Sequence, residues 1–204
     1  MCEIKELENT DPQIIDEIAK LHKRAFPSFF LTQLGLPFLR TLYAGYMEDN
    51  ESGIIVAEKD GRIIGFIAYS KDYPRFYKQL IKNKIVQFAG CSFLAALRHP
   101  SFIKRLLGAF KKSDSVKRKE KYVEIASICV DPRIKGHGLG TKLIETMKAK
   151  VDFSQFEYIN LETDAENNEH AIRFYEKNGF VKTREYRTNE GRLMFEYRYW
   201  GQAQ

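Results

Sequence analysis

Three closely spaced glycines stand where an apolar segment gives way to an amphipathic helix. Gly136, Gly138 and Gly140 follow the segment that ends at Val130, and apolar residues then recur at helical spacing from residue 139. Glycine lets backbone N–H groups approach an anion, and the start of a helix adds unpaired N–H groups and a positive dipole end. Basic or donor side chains interleave with the glycines at positions 133, 135 and 137. The segment therefore predicts a phosphate-binding loop.

Spacing separates this loop from two other glycine-rich phosphate sites. A dinucleotide-binding loop begins with glycine directly after its strand, whereas five residues separate Val130 from Gly136. A nucleoside triphosphate loop requires G-x-x-x-x-G-K-[ST], and the sequence from Gly136 to Lys142 fails in both spacing and order. A glycine-rich turn without a ligand is the third interpretation, although three glycines at a helix start reduce helix stability.

The hydrophobic pattern predicts the order βααββ, an insertion, then βαβαββ. Strands are expected at residues 2–7, 53–59, 62–69, 122–130, 156–163, 180–187 and 192–200. Helices are expected from Pro12 to before Pro27, and at residues 36–47, 76–88, 102–112, 139–151 and 168–178. Asp11-Pro12 is a helix-start signal, and Asp60-Gly61 predicts a two-residue hairpin turn.

Composition is typical of one globular domain, which we expect to span residues 1–204. The chain has 204 residues, of which 44% are hydrophobic and 29% charged, so its core needs neither disulfides nor a metal. Cys2, Cys91 and Cys129 lack metal-ligand spacing, and we expect reduced thiols and no metal site. The N-terminus lacks a signal-peptide pattern and no apolar run reaches the roughly 20 residues of a membrane helix. A cytoplasmic protein is therefore expected.

Positive charge is concentrated in one segment. The net charge is +6, but residues 71–121 alone contain 14 Lys or Arg against 3 Asp or Glu. The rest of the chain is mildly acidic. We expect this segment to be a basic helical insertion between the third and fourth strands.

Two motifs identify a family resemblance. The pattern [QR]-x-x-G-x-[GA] is matched by Arg133, Gly136 and Gly138, and follows a V-x-P element at residues 130–132. A second pattern, N-x-x-A-x-x-x-Y-x-x-x-G-F, is matched at every specified position by Asn168, Ala171, Tyr175, Gly179 and Phe180. With both motifs in order and one strand between them, residues 122–187 resemble the GNAT acetyltransferases.

The resemblance implies a fold, a reaction and a cofactor site. The fold would be α/β (α+β), with a mixed, mostly antiparallel central sheet of about seven strands flanked by helices. The reaction would be direct transfer of an acetyl group from acetyl-CoA to a primary amine of a small molecule, without a metal. The residues implied to bind acetyl-CoA are Ile128, Val130, Arg133, Lys135, Gly136, His137, Gly138, Leu139, Gly140, Thr141, Asn168 and Tyr175.

Two of these residues also have structural interpretations. The resemblance places the Tyr175 hydroxyl beside the thioester sulfur, where a neutral phenol can protonate the departing thiolate; otherwise it is a packed helix tyrosine. Asn168 is expected at the N-cap of the following helix, where its side chain can close a free N–H and still face the pantetheine arm.

A base must remove the proton of the attacking amine. Glu124 lies six residues before Val130, so strict alternation puts both side chains on one face of the strand. Some GNAT enzymes have a glutamate at the matching position; the alternative is an exposed glutamate paired with a lysine. Cys129 is expected to be a packing residue, and His22, near the implied acceptor site, a structural histidine.

The basic insertion gives an indication of the chemical nature of the acceptor substrate. Its second helix has an apolar stripe made of Phe102, Ile103, Leu106, Leu107 and Phe110. The stripe can pack on the core or, with flanking basic residues, lie on an anionic membrane surface. The charge favours an anionic acceptor, such as a nucleotide-linked amino sugar, whose sugar or base could stack on the aromatic loop at residues 26–30.

Two other functions remain open at this point. One is a basic module that binds a membrane or nucleic acid, although no recognition helix or stacking platform supports the nucleic-acid version, which we do not expect. The other is a non-catalytic CoA-binding sensor or scaffold. The sequence leaves the oligomeric state open, a dimer included.

Overall fold

The computed structural model describes residues 2–98, 118–134, 138–188 and 191–201. The strands are β1 (Cys2–Glu6), β2 (Ser52–Lys59), β3 (Arg62–Ser70), β4 (Tyr122–Val130), β5 (Tyr158–Asp164), β6 (Val181–Arg187) and β7 (Leu193–Tyr199). The helices in the described ranges are α1 (Pro12–Ala25), α2 (Phe30–Gln33), α3 (Leu36–Glu48), α4 (Tyr73–Arg98), α5 (Leu139–Lys150) and α6 (Glu169–Lys177).

All seven strands form one sheet in the order β1-β2-β3-β4-β5-β7-β6. β4 and β5 are parallel, and the other neighbouring strands are antiparallel. The β2–β3 hairpin turns at Asp60 and Gly61, which both have positive φ, as a two-residue turn of this kind requires. The mixed, mostly antiparallel sheet predicted from the sequence is confirmed.

Helices cover both faces of the sheet. On one face α1, α3 and α4 bury an apolar cluster that includes Ile18, Phe38 and Phe66. On the other face α5 and α6 bury a second cluster that includes Ile67 and Leu143. We call these the α1 face and the α5 face.

The structure differs from the predicted elements in two helices. The short helix α2 lies within the predicted aromatic loop. α4 continues from Tyr73 to Arg98, beyond the predicted end at Phe88, because no proline interrupts the chain before Pro100. Phe88 packs on Phe38 of α3, with 4.8 Å between ring centroids. The first part of the basic segment therefore belongs to the core, while the predicted helix at residues 102–112 lies outside the described residues.

The described helices show no candidate membrane span. None of them combines sufficient length with the apolar character needed to cross a bilayer.

Candidate active site

The two parallel strands separate in the middle of the sheet. β4 pairs with β5 from Tyr122 opposite Tyr158 as far as Ile125 opposite Leu161. Beyond that point β4 stays on β3 and β5 stays on β7. A wedge therefore opens between the C-terminal halves of β4 and β5.

The edge of β4 that faces this wedge has free backbone groups. The N–H of Asp131 donates to the carbonyl of Ile64 over 2.8 Å, and these two residues continue by one position the register that pairs Gly65 with Val130. Residues of an antiparallel pair alternate between bonding the partner strand and pointing away from it. The N–H and C=O groups of Ile128 and Val130 therefore point toward the wedge.

The turn after β4 is fixed by the buried carboxylate of Asp131. It accepts a hydrogen bond from the Arg133 backbone N–H (3.0 Å) and two from the Arg133 guanidinium (2.9 and 2.7 Å). Arg24 of α1 donates a further bond over 3.1 Å. The hydrogen bonds from Arg133, followed by those from Arg24, hold the pKa of Asp131 well below its usual range. The Arg133 side chain is 72% exposed, so its bonds to Asp131 hold the guanidinium at the protein surface.

The glycine segment leads into α5 as the sequence predicts. Gly138 has φ +62° and is the N-cap of the helix, and the Lys142 N–H bonds its carbonyl over 3.0 Å. The N–H groups of Leu139, Gly140 and Thr141 precede that first helical bond and have no acceptor within the helix. Lys135, Gly136 and His137, also predicted to bind the cofactor, lie outside the described residues.

Gly140 allows α5 to approach its neighbours closely. A Cβ at this position would lie 3.0 Å from Phe174 Cε2 and 3.9 Å from Val130 Cγ2. Gly65 of β3 likewise allows close packing further along α5, because a Cβ at Gly65 would lie 3.1 Å from Leu143 Cδ1. The helix start is thereby held against the end of β4 and against α6.

Tyr175 of α6 lies in the core of the α5 face. Its ring packs among Phe174, Phe180 and Tyr197, with centroid separations of 5.4, 6.2 and 6.0 Å. Burial raises the pKa of its phenol to about 12, and the nearby Cys129 thiol adds to the shift. The hydroxyl is therefore protonated at neutral pH. No bond from it to another described residue is present.

Asn168 occupies the N-cap of α6 without capping it through its side chain. Its Nδ2 instead donates to the Thr163 hydroxyl over 2.7 Å and to the Asp164 carbonyl over 3.0 Å. The side chain therefore ties the start of α6 to the end of β5, beside the wedge. These bonds use only Nδ2 and leave Oδ1 as an acceptor.

A bulge in β4 changes the predicted direction of Glu124. Ala68 pairs with Ser127 and Tyr69 with Ile125, so Ala126 is an extra residue in β4. One extra residue reverses the alternation of side chains beyond it. Val130 consequently contacts the α5-face cluster, whereas Glu124, which alternates with Ile125 of that cluster, points to the α1 face. The prediction that Glu124 and Val130 share a face is wrong.

The carboxyl group of Glu124 is buried at the point where the strands separate. The side-chain amide of Asn160, opposite on β5, donates to its Oε2 over 2.7 Å. Burial raises the pKa of Glu124 to about 8, and the negative charge of Glu162 adds to the rise, while the hydrogen bond from Asn160 and the charge of Arg118 oppose it. Glu124 is therefore not an exposed glutamate paired with a lysine. It is a buried acid poised to exchange a proton near neutral pH.

Cys129 and His22 are buried, and their surroundings suit a structural role. Burial raises the pKa of the Cys129 thiol well above its usual range, so the thiol stays protonated. The His22 Nδ1 lies 2.6 Å from the Tyr43 hydroxyl, and burial lowers the pKa of His22 to about 4. The rings of Phe26 and Phe29 from the aromatic loop pack on the His22 ring.

Sequence reasoning missed Asn160 and Arg118. Asn160 stands between apolar residues of β5 and is 1% exposed, and a lone amide in an apolar strand is a usable signal because buried amides need partners. Arg118 donates to Glu196 of β7 over 2.7 Å. Nothing in the local sequence distinguishes Arg118 from the other basic residues of its segment.

The described residues contain no group of three or more His, Cys, Asp or Glu side chains arranged to hold a metal ion. The site consists of a carboxyl group, a phenol, free strand-edge amides and a helix N-terminus. Such a set suits proton transfer next to a phosphate-bearing ligand with amide groups.

Three solved structures illustrate what this fold is similar to. A GNAT-family acetyltransferase from Bacillus cereus is 12% identical, with a TM-score of 0.60, and the match covers 100% of this chain and 99% of that chain. The ribosomal-protein-S18-alanine N-acetyltransferase of Escherichia coli is 17% identical, with a TM-score of 0.57 and coverage of 100% and 99%. A Bacillus anthracis protein designated a streptothricin acetyltransferase, solved in complex with acetyl coenzyme A, is 22% identical, with a TM-score of 0.50 and coverage of 78% and 68%.

At these identities the structural likeness shows the fold alone. No curated protein sequence matches the chain. The sequence itself matches the family model of the GNAT acetyltransferases over residues 15–180, which include both glycine motifs, Glu124 and Tyr175. This chain belongs to the GNAT family of acetyltransferases.

Proposed function

We propose that this enzyme transfers an acetyl group from acetyl-CoA to the primary amine of a small acceptor by direct attack on the thioester. One observation carries the proposal. The wedge between β4 and β5 leads from a buried acid, Glu124, past the free edge of β4 to the N-terminus of α5. A phenol, Tyr175, lies on the opposite face of the sheet.

The residues of the wedge fit acetyl-CoA. The pantetheine arm carries amide groups, which the outward N–H and C=O groups of Ile128 and Val130 can bind as an added strand would. The diphosphate suits the free N–H groups at the start of α5, with Lys135, Gly136 and His137 completing the loop. Asn168 Oδ1 can accept a hydrogen bond from the arm.

Arg133 has an indirect part in this binding. Its guanidinium pairs with Asp131, so it fixes the turn that leads into the loop and adds positive potential near the diphosphate. Leu139 is buried against the sheet and therefore contributes only its backbone N–H. Position 140 at the start of α5 accepts only a small residue, because a larger side chain there would displace Phe174.

Glu124 and Tyr175 divide the proton transfers. An ammonium group has no lone pair, so Glu124 accepts the proton that the acceptor amine must lose. Tyr175 holds its proton at neutral pH and can donate it to the sulfur as the C–S bond breaks and the N–C bond forms. Bound acetyl-CoA supplies the activated acyl group. Because the two side chains lie on opposite faces, the amine approaches from the α1 face and the sulfur leaves on the α5 face.

For the acceptor we propose an anionic small amine, with a nucleotide-linked amino sugar as the first candidate. The excess of basic residues between positions 71 and 121 supports a negatively charged acceptor. Phe29 and Phe30 of the aromatic loop remain half-buried and offer ring surface to a sugar or base. Faster turnover of polyamines or protein N-termini than of nucleotide amino sugars contradicts this choice.

The test is release of free thiol from acetyl-CoA over a panel of amines that includes amino sugars. Tyr175→Phe should lower kcat by about 100-fold or more if the phenol protonates the leaving group. Tyr197→Phe is the matched control, since Tyr197 lies in the same cluster and its hydroxyl donates to Glu176 over 3.1 Å. Equal rates for Tyr175→Phe and the wild type remove Tyr175 from the mechanism.

A non-catalytic CoA-binding sensor is distinguished by the same assay. It binds CoA in equilibrium titrations but releases no thiol with any amine. A basic membrane- or nucleic-acid-binding module is indifferent to CoA and binds its partner with strong salt dependence.

A further inference from the structure

Three buried polar atoms close to Glu124 have no hydrogen-bond partner among the described residues. They are Arg118 Nη1, Tyr158 Oη and Asn160 Oδ1. The side chain of Arg118 is 10% exposed, and Tyr158 and Asn160 are each 1% exposed. Buried polar groups are almost always paired, so three unpaired ones in one place require an explanation.

Sheet register brings Tyr158 and Asn160 together, and contacts with Tyr122 and Glu196 place Arg118 next to them. Tyr158 and Asn160 are two residues apart on β5, so their side chains lie on the same face of the sheet. They lie opposite Tyr122 and Glu124 of β4. The rings of Tyr122 and Tyr158 stack with 5.5 Å between centroids and 8° between planes. The Arg118 guanidinium carbon lies 4.7 Å from the Tyr122 ring centroid. A guanidinium, a phenol and an amide therefore lie together on the α1 face, and the amide contacts the Glu124 carboxyl group.

One further side-chain nitrogen of Arg118 and one of Asn160 are already bonded. Arg118 Nη2 donates to Glu196 over 2.7 Å, and Asn160 Nδ2 donates to Glu124 over 2.7 Å. Both side chains are thus held in fixed orientations, and each keeps one atom available.

Two guanidinium groups lie next to the Tyr158 ring. Glu196 also accepts from Arg198 Nε over 2.9 Å, so one carboxylate serves two guanidinium groups. The Arg198 guanidinium lies over the Tyr158 ring, 4.2 Å from its centroid. The guanidinium groups of Arg118 and Arg198 both act on Tyr158, whose hydroxyl is itself a hydrogen-bond donor.

We propose that these three side chains recognise the acceptor. Arg118 Nη1 and Tyr158 Oη bind an anionic oxygen, carboxylate or phosphate, and Asn160 Oδ1 accepts an N–H of the amine that Glu124 deprotonates. The substrate class is a small primary amine with an anionic group a few bonds from its nitrogen. The inference rests on the proposed function, since it assigns Glu124 to the acceptor amine.

The test measures direct binding to the full-length, CoA-saturated protein by isothermal titration calorimetry. Two matched pairs serve as probes, phosphoethanolamine with ethanolamine, and β-alanine with propylamine. The anionic member of at least one pair should bind about 10-fold or more tightly than its neutral partner, because a hydrogen bond between charged groups contributes more than a neutral one. The two pairs distinguish phosphate from carboxylate.

Tyr158→Phe is the sharpest variant, because it removes one oxygen and keeps the stacked ring. Its affinity for the preferred anionic amine should fall about 10-fold, while affinity for the neutral partner and the Tm stay the same or rise. Arg118→Lys keeps a charge near Glu196 but loses the fork of donors, and should show the same selective loss.

Equal affinities for the anionic and neutral members of both pairs overturn the inference, as does an unchanged affinity in Tyr158→Phe; buried water then explains the three atoms. Turnover is read separately. If anionic amines bind here but none is acetylated, the proposed function fails and the binding site stands. If amines are acetylated without any preference for an anion, the inference and the proposed anionic acceptor fail, while acetyl transfer to a primary amine stands.

Discussion

Replacing Glu124 with Gln should change the pH dependence of stability. The carboxyl group has an ordinary pKa of 4.5 when unfolded and about 8 when buried in the native protein. Between these values the folded state holds one more proton than the unfolded state, so the free energy of unfolding falls as pH rises. The slope is about 1.4 kcal/mol per pH unit, and the whole interval amounts to at most about 5 kcal/mol.

Glu124→Gln cannot titrate but still offers an oxygen to Asn160 Nδ2. Urea unfolding at a series of pH values from 5 to 8 therefore measures the effect directly. The variant should gain stability relative to the wild type as pH rises, with the slope given above. Stability curves that run parallel would show that Glu124 is already ionised at pH 5, and the argument from burial would fail.

The same substitution should lower kcat/KM by about 10²- to 10⁴-fold if Glu124 is the general base. In the wild type, log kcat/KM should rise with pH up to about 8, since only the ionised carboxylate accepts a proton. The acceptor amine titrates as well, so the variant assayed with the same amine isolates the contribution of Glu124.

Glu162→Gln tests how far a neighbouring negative charge, as distinct from burial, raises the pKa of Glu124. Removing this negative charge should lower the pKa of Glu124 and move the pH–rate limb to lower pH, because Glu162 is the second largest cause of the shift. If the rising part of the pH–rate profile does not move, burial alone raises the pKa of Glu124.

Three further predictions concern the start of α5, helix α4 and the turn after β4. Gly140→Ala should destabilise the protein by about 1–3 kcal/mol, because its Cβ would press on the Phe174 ring. In α4, Gly90→Ala, whose Cβ would meet no atom of the described residues within 4 Å, should stabilise the protein by up to about 1 kcal/mol in urea unfolding. Asp131→Asn should cost about 1.5–3 kcal/mol at pH 7 through weakened bonds to Arg133, raise the KM for acetyl-CoA, and cost progressively less below about pH 4. Equal signs for the two alanine variants, or a pH-independent loss for Asp131→Asn, would contradict these arguments.

Much of the fold followed from local pattern. The Asp60-Gly61 hairpin, the positive φ of Gly138 and the helices that begin near residues 12, 139 and 169 are each specified by residues close in sequence. The same holds for the two family motifs, whose glycines and aromatic residues encode a helix start and a packed helix. Such signals are legible because the residue types themselves restrict the backbone.

The surroundings of Glu124 did not follow from local pattern. The bulge at Ala126 exists only through pairing with β3, and it reverses the side-chain alternation on which the sequence argument depended. Asn160 meets Glu124 from 36 residues away, and Arg118 meets Glu196 from 78 residues away.

The sequence by itself determined the family, the helix start that is proposed to bind phosphate, and the positions of the candidate acid and base. Only the tertiary structure decided which face of the sheet Glu124 occupies, how its pKa is raised and which side chains stand beside it. The reason is physical: strand register and burial are set by contacts between distant segments, whereas turns and helix starts are set by neighbours in the chain.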